Sequence, residues 1–381
     1  MIICSLMHKA WENRFLIYVR SFMKLTFVTS TLTSGGAERV ISLLANEFYR
    51  KGNEVEMICL TNLKVDYYKM DEGVKLIHAE NVAGHSLLKR LVWFRKHIKQ
   101  EKPDCVIAFM EAVYEFVLMS LLGMKVSKGP KSQVVPVISS ERKDPTTLGP
   151  LRKFLRWILL PTATAHVVQT QAIKNFYNAI VRKKTYIIYN PVNERVYDMP
   201  EVEREDRIIS VGRLYPQKNQ QMLIRAFNQV KDKYPSYKLV IYGEGYLRPD
   251  LEKLIAELEL QGRVELPGTT TRILDEVKRS KVFCLSSNYE GMSNAMIEAM
   301  CLGTPVISTK VSGTDELIRN GENGLLVDLG DVDGLARAFD CLLGDENLQR
   351  TFAERCLKMS SVFRIDSIVG KWERLIQQLK K

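Results

Sequence analysis

Ser286-Ser287-Asn288-Tyr289-Glu290-Gly291-Met292-Ser293-Asn294-Ala295-Met296-Ile297-Glu298-Ala299-Met300 decides how the rest of this chain is read. The run before it, Lys281-Val282-Phe283-Cys284-Leu285, is short and apolar and predicts a buried strand. Glu290 to Asn294 predicts a tight loop, and Ala295 to Cys301 the first turns of a helix ended by Gly303 and Pro305. Backbone N–H groups and the positive end of the helix dipole then lie between Glu290 and Glu298, where a diphosphate is favoured. An ionised glutamate accepts two hydrogen bonds from a vicinal diol, which suits the hydroxyls of a sugar or a ribose. An anion cradle beside diol acceptors describes a nucleotide-sugar site.

Outward from this segment, strand and helix patterns alternate along all 381 residues, predicting an α/β chain of parallel sheets with crossover helices. The length exceeds one ordinary domain and fits two of about 190 residues. The expected division is 1–22, a leader of uncertain status, then 23–195, 196–364, and a last helix over 365–381. Glu194–Arg207, charged and carrying Pro200, is expected to be the linker between two doubly wound sheets that face each other across a cleft. Residues 1–22 lack a clean apolar stretch with a small-residue cleavage site, so a signal peptide is not expected; Met23-Lys24-Leu25 looks like a natural start.

A second segment, Val211-Gly212-Arg213-Leu214-Tyr215-Pro216-Gln217-Lys218, places two cations in a loop between a strand and a helix. Arg213 and Lys218 suit a pyrophosphate leaving group. Ser34-Gly35-Gly36-Ala37-Glu38-Arg39 follows the first strand, and its glycines let the backbone approach a phosphate or sugar. Tyr242-Gly243-Glu244-Gly245 and Gly268-Thr269 end two further strands, and Ser139-Ser140-Glu141-Arg142 ends a strand in the first half.

Together these strings resemble the retaining GT-B glycosyltransferases of family 4 (glycosyl transferases group 1) of bacterial polysaccharide assembly. The resemblance spans nearly the whole chain but is specific in its second half and loose in its first. It implies that Arg213 and Lys218 hold the donor diphosphate, Glu290 the transferred sugar and Glu298 the ribose. Gly291, Met292, Ser293 and Asn294 would supply backbone N–H groups, with Gly35 and Gly36 in the active-site loop and Gly243 and Gly268 on the nucleotide side. It also implies a last helix that crosses back to the first domain. Many members carry a histidine near the Ser139–Pro145 region; this chain has none there, so no catalytic base is assigned, and Glu141 and Arg142 stand as candidate acceptor contacts. His166, inside a strand pattern, is expected to be a core residue.

The implied activity is hexosyl or N-acetylhexosaminyl transfer with retention, from a nucleotide sugar (a UDP-sugar) to a lipid-linked saccharide in capsule, O-antigen or exopolysaccharide synthesis. A sugar-nucleotide epimerase of the same fold and a non-catalytic nucleotide-sugar-binding protein of the membrane surface are the rival readings. No cofactor and no metal are expected, because the five histidines and seven cysteines show no ligand spacing; reduced core thiols are expected instead.

Charge separates the halves. Residues 1–200 hold 29 Lys and Arg against 17 Asp and Glu, whereas 201–381 hold 26 against 27, so the whole net charge of +11 comes from the first half. No nucleic-acid-binding motif accompanies it, and nucleic acid is not expected as a partner. Two basic amphipathic stretches, Ser86–Lys99 and Leu151–Leu160, point instead to an anionic membrane surface, with Trp93 and Phe94 adding aromatic bulk. No run of eighteen uncharged apolar residues exists; the nearest, Cys105–Met124, is broken by Glu111 and Glu115. The expected location is therefore the cytoplasm, peripheral on the inner face of the membrane.

Overall fold

The computed structural model describes residues 22–33, 35–62, 66–128 and 131–380. Ser34, Cys4 and nearly all of the expected leader lie outside the described residues.

The first half contributes β1 (Lys24–Thr29), β2 (Glu54–Cys59), β3 (Lys75–His78), β4 (Cys105–Phe109), a hairpin of β5 (Val126–Lys128) and β6 (Lys131–Gln133), then β7 (Val137–Ser140), β8 (Ala165–Val168) and β9 (Thr185–Ile187). Seven of them form one parallel sheet in the order β3-β2-β1-β4-β7-β8-β9. The second half contributes β10 (Glu205–Val211), β11 (Lys238–Tyr242), β12 (Val264–Gly268), β13 (Ser280–Leu285), β14 (Val306–Thr309) and β15 (Leu325–Val327), parallel in the order β12-β11-β10-β13-β14-β15. Both sheets are doubly wound, as expected. The strand order reverses between β1 and β4 in one and between β10 and β13 in the other, and the loops leaving such strands line the crevice where ligands bind.

The central strands are buried on both faces, which is why they read as apolar runs without alternation, whereas the edge strands β3, β9 and β12 are partly exposed. Leu25, Phe27, Ile107, Ile208, Leu239, Val282 and Phe283 are all solvent-free. The cysteines at 59, 105, 284, 301 and 356 are buried, and burial pushes the Cys59, Cys301 and Cys356 thiols up to about 12. Such thiols are inert packing groups.

Two expectations shift. The hairpin of β5 and β6 has no apolar run to announce it. The charged Glu194–Arg207 stretch is not a free linker: it holds a helical turn at Arg195–Asp198, and β10 already begins at Glu205. Arg204 is the reason, because its guanidinium donates to the carbonyls of Lys278, Ser280, Leu302 and Gly303 and to Thr304 Oγ1. A charged residue there is an anchor, not a sign of solvation.

The Ile365–Leu379 helix packs on the first half. Its Ile368, Val369, Trp372, Leu375 and Ile376 share a core with Leu25, Phe27, Val40, Leu44 and Phe109. Trp372 stacks on Phe109 at a centroid distance of 6.0 Å, and Lys51 pairs with Asp366 at 3.0 Å. Among the described residues no helix is long and apolar enough to cross a membrane.

Candidate active site

Glu290 leaves the end of β13 and turns inward, 7 % exposed. A buried carboxylate needs counter-charge and donors, and the loop after β10 provides them. Lys218 Nζ lies 2.5 Å from Glu290 Oε1, Ser287 Oγ donates to the same oxygen at 2.8 Å, and Gln217 Nε2 reaches Oε2 at 3.3 Å. The two loops are laced by further bonds: Ser286 Oγ to the Lys218 carbonyl, and Asn288 N to the Gln217 carbonyl, both 2.8 Å. The geometry of Lys218 and Glu290 is thus set by backbone, not by two free side chains finding each other.

The helix that follows runs Asn294–Cys301. Ser293 is its N-cap, its hydroxyl accepting from Met296 N at 3.4 Å, and Met292 is packed beneath. Glu298 sits one turn in, 5 % exposed. Arg213 lies exposed at the mouth, its guanidinium 5.1 Å from the Tyr215 ring centroid.

The glycines at the ends of β11 and β12 have a packing cause. Gly243 has φ +145° and a Cβ there would lie 2.0 Å from the Gly212 carbonyl oxygen, so the loop bearing Arg213 presses against it. Gly243 N donates to the Gly268 carbonyl at 2.8 Å, tying that residue to the same knot. These glycines shape the Arg213 loop whether or not a nucleotide touches them.

The first half closes the other side. Gly36 offers its carbonyl to Asn294 Nδ2 at 3.3 Å, Asn190 Nδ2 donates to Asn294 Oδ1 at 2.5 Å, and Arg142 Nη1 donates to Asn190 Oδ1 at 2.6 Å. Arg39 Nη2 stands 2.6 Å from Glu298 Oε1. Gly291 allows the approach, since a Cβ on it would come within 2.6 Å of the Arg142 carbonyl oxygen. Gly35 makes room for Glu38, whose Oε2 lies 2.0 Å from where a Gly35 Cβ would be. Burial raises the Glu38 pKa, against the opposing pull of Lys143 and Arg213.

Glu141 is the correction. It is wholly buried, gripped by Arg156 at 2.7 Å and by the hydroxyls of Tyr114 and Tyr177 at 2.9 and 3.2 Å. Burial raises its pKa while Arg156 pulls it down. It points into the domain and has no surface to offer an acceptor. Its neighbour Arg142 does face the interface, stacked 4.3 Å over Phe109. His166 is a core residue as expected, fully buried and bonded to Ser139 at 2.8 Å.

Sequence reading missed Arg39, Asn190, Gln217 and Ser287 as partners. Arg39, Gln217 and Ser287 lie inside or beside the quoted strings, but nothing in a string says which side chain crosses a cleft. Two other groupings of potential metal ligands occur among the described residues, Cys59–Asp66–His78 and Glu56–His97–Glu101. In the second, Lys24 and Lys75 engage the carboxylates.

The family model described as Glycosyltransferase Family 4 matches residues 34–196, and that described as Glycosyl transferases group 1 matches 198–359. A Campylobacter jejuni GalNAc-alpha-(1->4)-GalNAc-alpha-(1->3)-diNAcBac-PP-undecaprenol alpha-1,4-N-acetyl-D-galactosaminyltransferase is 29 % identical, over 94 % of this chain and 99 % of its own length. The amylovoran biosynthesis glycosyltransferase AmsD of Erwinia amylovora is 24 % identical over 92 % of this chain and 99 % of its own. Among solved structures, Anabaena Alr3699/HepE in complex with UDP and glucose superposes with a TM-score of 0.76 at 19 % identity, over 93 % of this chain and 100 % of that one. Both sheets and both sequence halves agree: the chain belongs to the family 4 (group 1) glycosyltransferases and has their GT-B fold.

Proposed function

We propose that this glycosyltransferase moves a sugar, with retention, from a UDP-sugar to a lipid-linked saccharide at the inner face of a bacterial membrane, in the assembly of a cell-surface polysaccharide. The observation that carries the reading is the convergence of Lys218, Glu290 and the Asn294–Cys301 helix N-terminus at the ends of β10 and β13, opposite the Gly35–Gly36 loop.

In this reading Arg213, Lys218 and the backbone N–H groups of Gly291 to Asn294 take the diphosphate and stabilise the charge that develops as it leaves. Glu290 holds the transferred sugar's hydroxyls and Glu298 the ribose diol. The bond from the anomeric carbon to the phosphate oxygen breaks, and the acceptor oxygen bonds on the same face. The departing phosphate oxygen takes the acceptor's proton, so no protein base is needed. Residue chemistry around the cleft calls for no metal, because the diphosphate is already met by two cations. Arg142 is the remaining first-half candidate for acceptor contact. The undecaprenol-linked saccharides named as the acceptors of two Campylobacter jejuni relatives support the acceptor class.

The Pro150–Leu159 helix supports the membrane part. Leu151, Phe154, Trp157 and Ile158 are 71, 56, 65 and 47 % exposed, and Arg152 and Lys153 share its outer face. The Leu87–Glu101 helix adds exposed Leu87, Leu88 and Val92 among its lysines, but Phe94 turns wholly into the core and Trp93 stacks on His97.

The test is release of nucleoside diphosphate from a panel of UDP- and GDP-sugars, with and without an undecaprenyl-diphosphate-linked saccharide. Acceptor-dependent release from one UDP-sugar is expected. Conversion of the sugar nucleotide to an isomer without acceptor and without net release of nucleoside diphosphate would establish the epimerase instead.

A further inference from the structure

We propose that Arg39, a residue of the first half, is a positioning residue for the nucleotide's ribose, acting through Glu298 in the second half. The inference rests on the reading of Glu298 as the ribose acceptor and adds who orients it.

Glu298 is 5 % exposed, and an unpaired carboxylate in such a place is costly. Its own helix and sheet give it no cation. The counter-charge comes from across the cleft: Arg39 Nη2 at 2.6 Å from Oε1, with the two side chains 23 and 7 % exposed. Arg39 cannot wander, because it is carried on the Gly36–Arg50 helix. That helix is docked on Asn294, one turn ahead of Glu298, through the Gly36 carbonyl. Tyr68 stands in the same field; burial raises its pKa, with Arg39, Glu38 and Glu298 among the charges acting on it.

A carboxylate has about four lone-pair sites on two oxygens, so a guanidinium on Oε1 leaves capacity for a vicinal diol. The contact is an ion pair without hydrogen-bond alignment, so its pull on the Glu298 carboxylate is one of charge. The nucleotide is therefore read by both halves at once, and Glu298 is correctly aimed only when the first half is in place.

The experiment compares UDP and GDP with their 2′,3′-dideoxy forms by calorimetry, using the full chain as wild type, Arg39→Met and Arg39→Lys. Wild type is expected to bind one ribonucleotide at least about tenfold more tightly than its dideoxy form, the worth of a charge-assisted hydrogen bond. Arg39→Met should collapse that ratio towards one while leaving the dideoxy affinity within about twofold, the unchanged dideoxy affinity also reporting an intact fold. Arg39→Lys should restore part of the ratio. Equal weakening of both forms would mean a general structural role and overturn the proposal. So would an unchanged ratio, or tighter ribonucleotide binding, which would make Arg39 a competitor of the ribose. Wild type that binds a nucleotide without regard to the diol defeats this inference alone. Wild type that binds neither UDP nor GDP defeats the nucleotide-site reading beneath it.

Discussion

Lys218 and Glu290 are 72 positions apart in sequence and 2.5 Å apart in the fold, both on loops that leave the central strands of one sheet. Acting as a unit, they should not contribute additively. Lys218→Met and Glu290→Gln are each expected to lower kcat/KM by about 10²- to 10³-fold, and the double variant by little more than the worse single. Steady-state transfer assays on the four proteins decide it. Fully additive losses would mean that the two side chains serve separate steps.

Gly291 and Gly243 predict opposite outcomes for the same change. A Cβ on Gly291 meets the Arg142 carbonyl of the opposing half at 2.6 Å, so Gly291→Ala should leave thermal stability nearly intact and cut turnover at least about tenfold by propping the cleft. A Cβ on Gly243 meets Gly212 of its own half, at a φ of +145°. Gly243→Ala should cost about 2 kcal/mol or more in stability, seen as a Tm lower by several degrees. Calorimetric unfolding alongside turnover separates them; a stable, fully active Gly243→Ala protein refutes the packing account.

The outer face of the Pro150–Leu159 helix is expected to set membrane affinity. Trp157→Asp with Phe154→Asp should abolish co-sedimentation with phosphatidylglycerol vesicles at low salt, while turnover on a short-chain, water-soluble acceptor stays within about twofold. The two rings stack on each other in the outer face, 6.4 Å between centroids, and make no contribution to the cores described above. Undiminished sedimentation of the double variant would move the docking surface elsewhere.

His166 gives the fold an acid limit. Burial, reinforced by Arg156 and Lys184 and opposed by Ser139, holds its pKa down at about 3, against 6.5 for the free side chain. It is flanked by the rings of Tyr114 and Tyr177. As pH falls below about 6.5 the unfolded chain takes up a proton that the folded chain refuses. Stability therefore declines by on the order of 1.4 kcal/mol per pH unit until the folded pKa is reached. Denaturant titrations between pH 6.5 and 5 should show this slope in wild type and a flatter one in His166→Phe. Parallel slopes would show that carboxylates, not His166, govern the acid limb.

Much of the fold was legible because its central strands are covered on both faces. A parallel strand buried on both sides must be a short apolar run, and Val282–Leu285 and Ile208–Val211 are such runs. The Glu290 and Lys218 loops were legible for a related reason, since each sits where a strand ends and a helix begins. The hairpin of β5 and β6 was not, because two three-residue strands carry no period. Glu141 misled, since a charged residue after a strand looks solvent-facing. Its true partner, Arg156, reads as one more basic residue on an amphipathic helix. Arg39 was in plain view but unassignable, because its partner belongs to the other sheet and no local pattern reaches that far.

The last helix has a consequence for how the protein comes off the ribosome. Trp372 is among the largest side chains fully enclosed by the core that Leu25 and Phe27 begin. Synthesis proceeds at about 5–20 residues per second. The sheet that starts at residue 24 therefore waits tens of seconds, with an apolar face uncovered, until residues 365–379 emerge to cover it. The second sheet has its strands complete by residue 327, but Phe352, Cys356 and Phe363 are needed to close its cores. Both halves therefore wait for the C-terminal residues, and the half translated first waits longest with its apolar face uncovered.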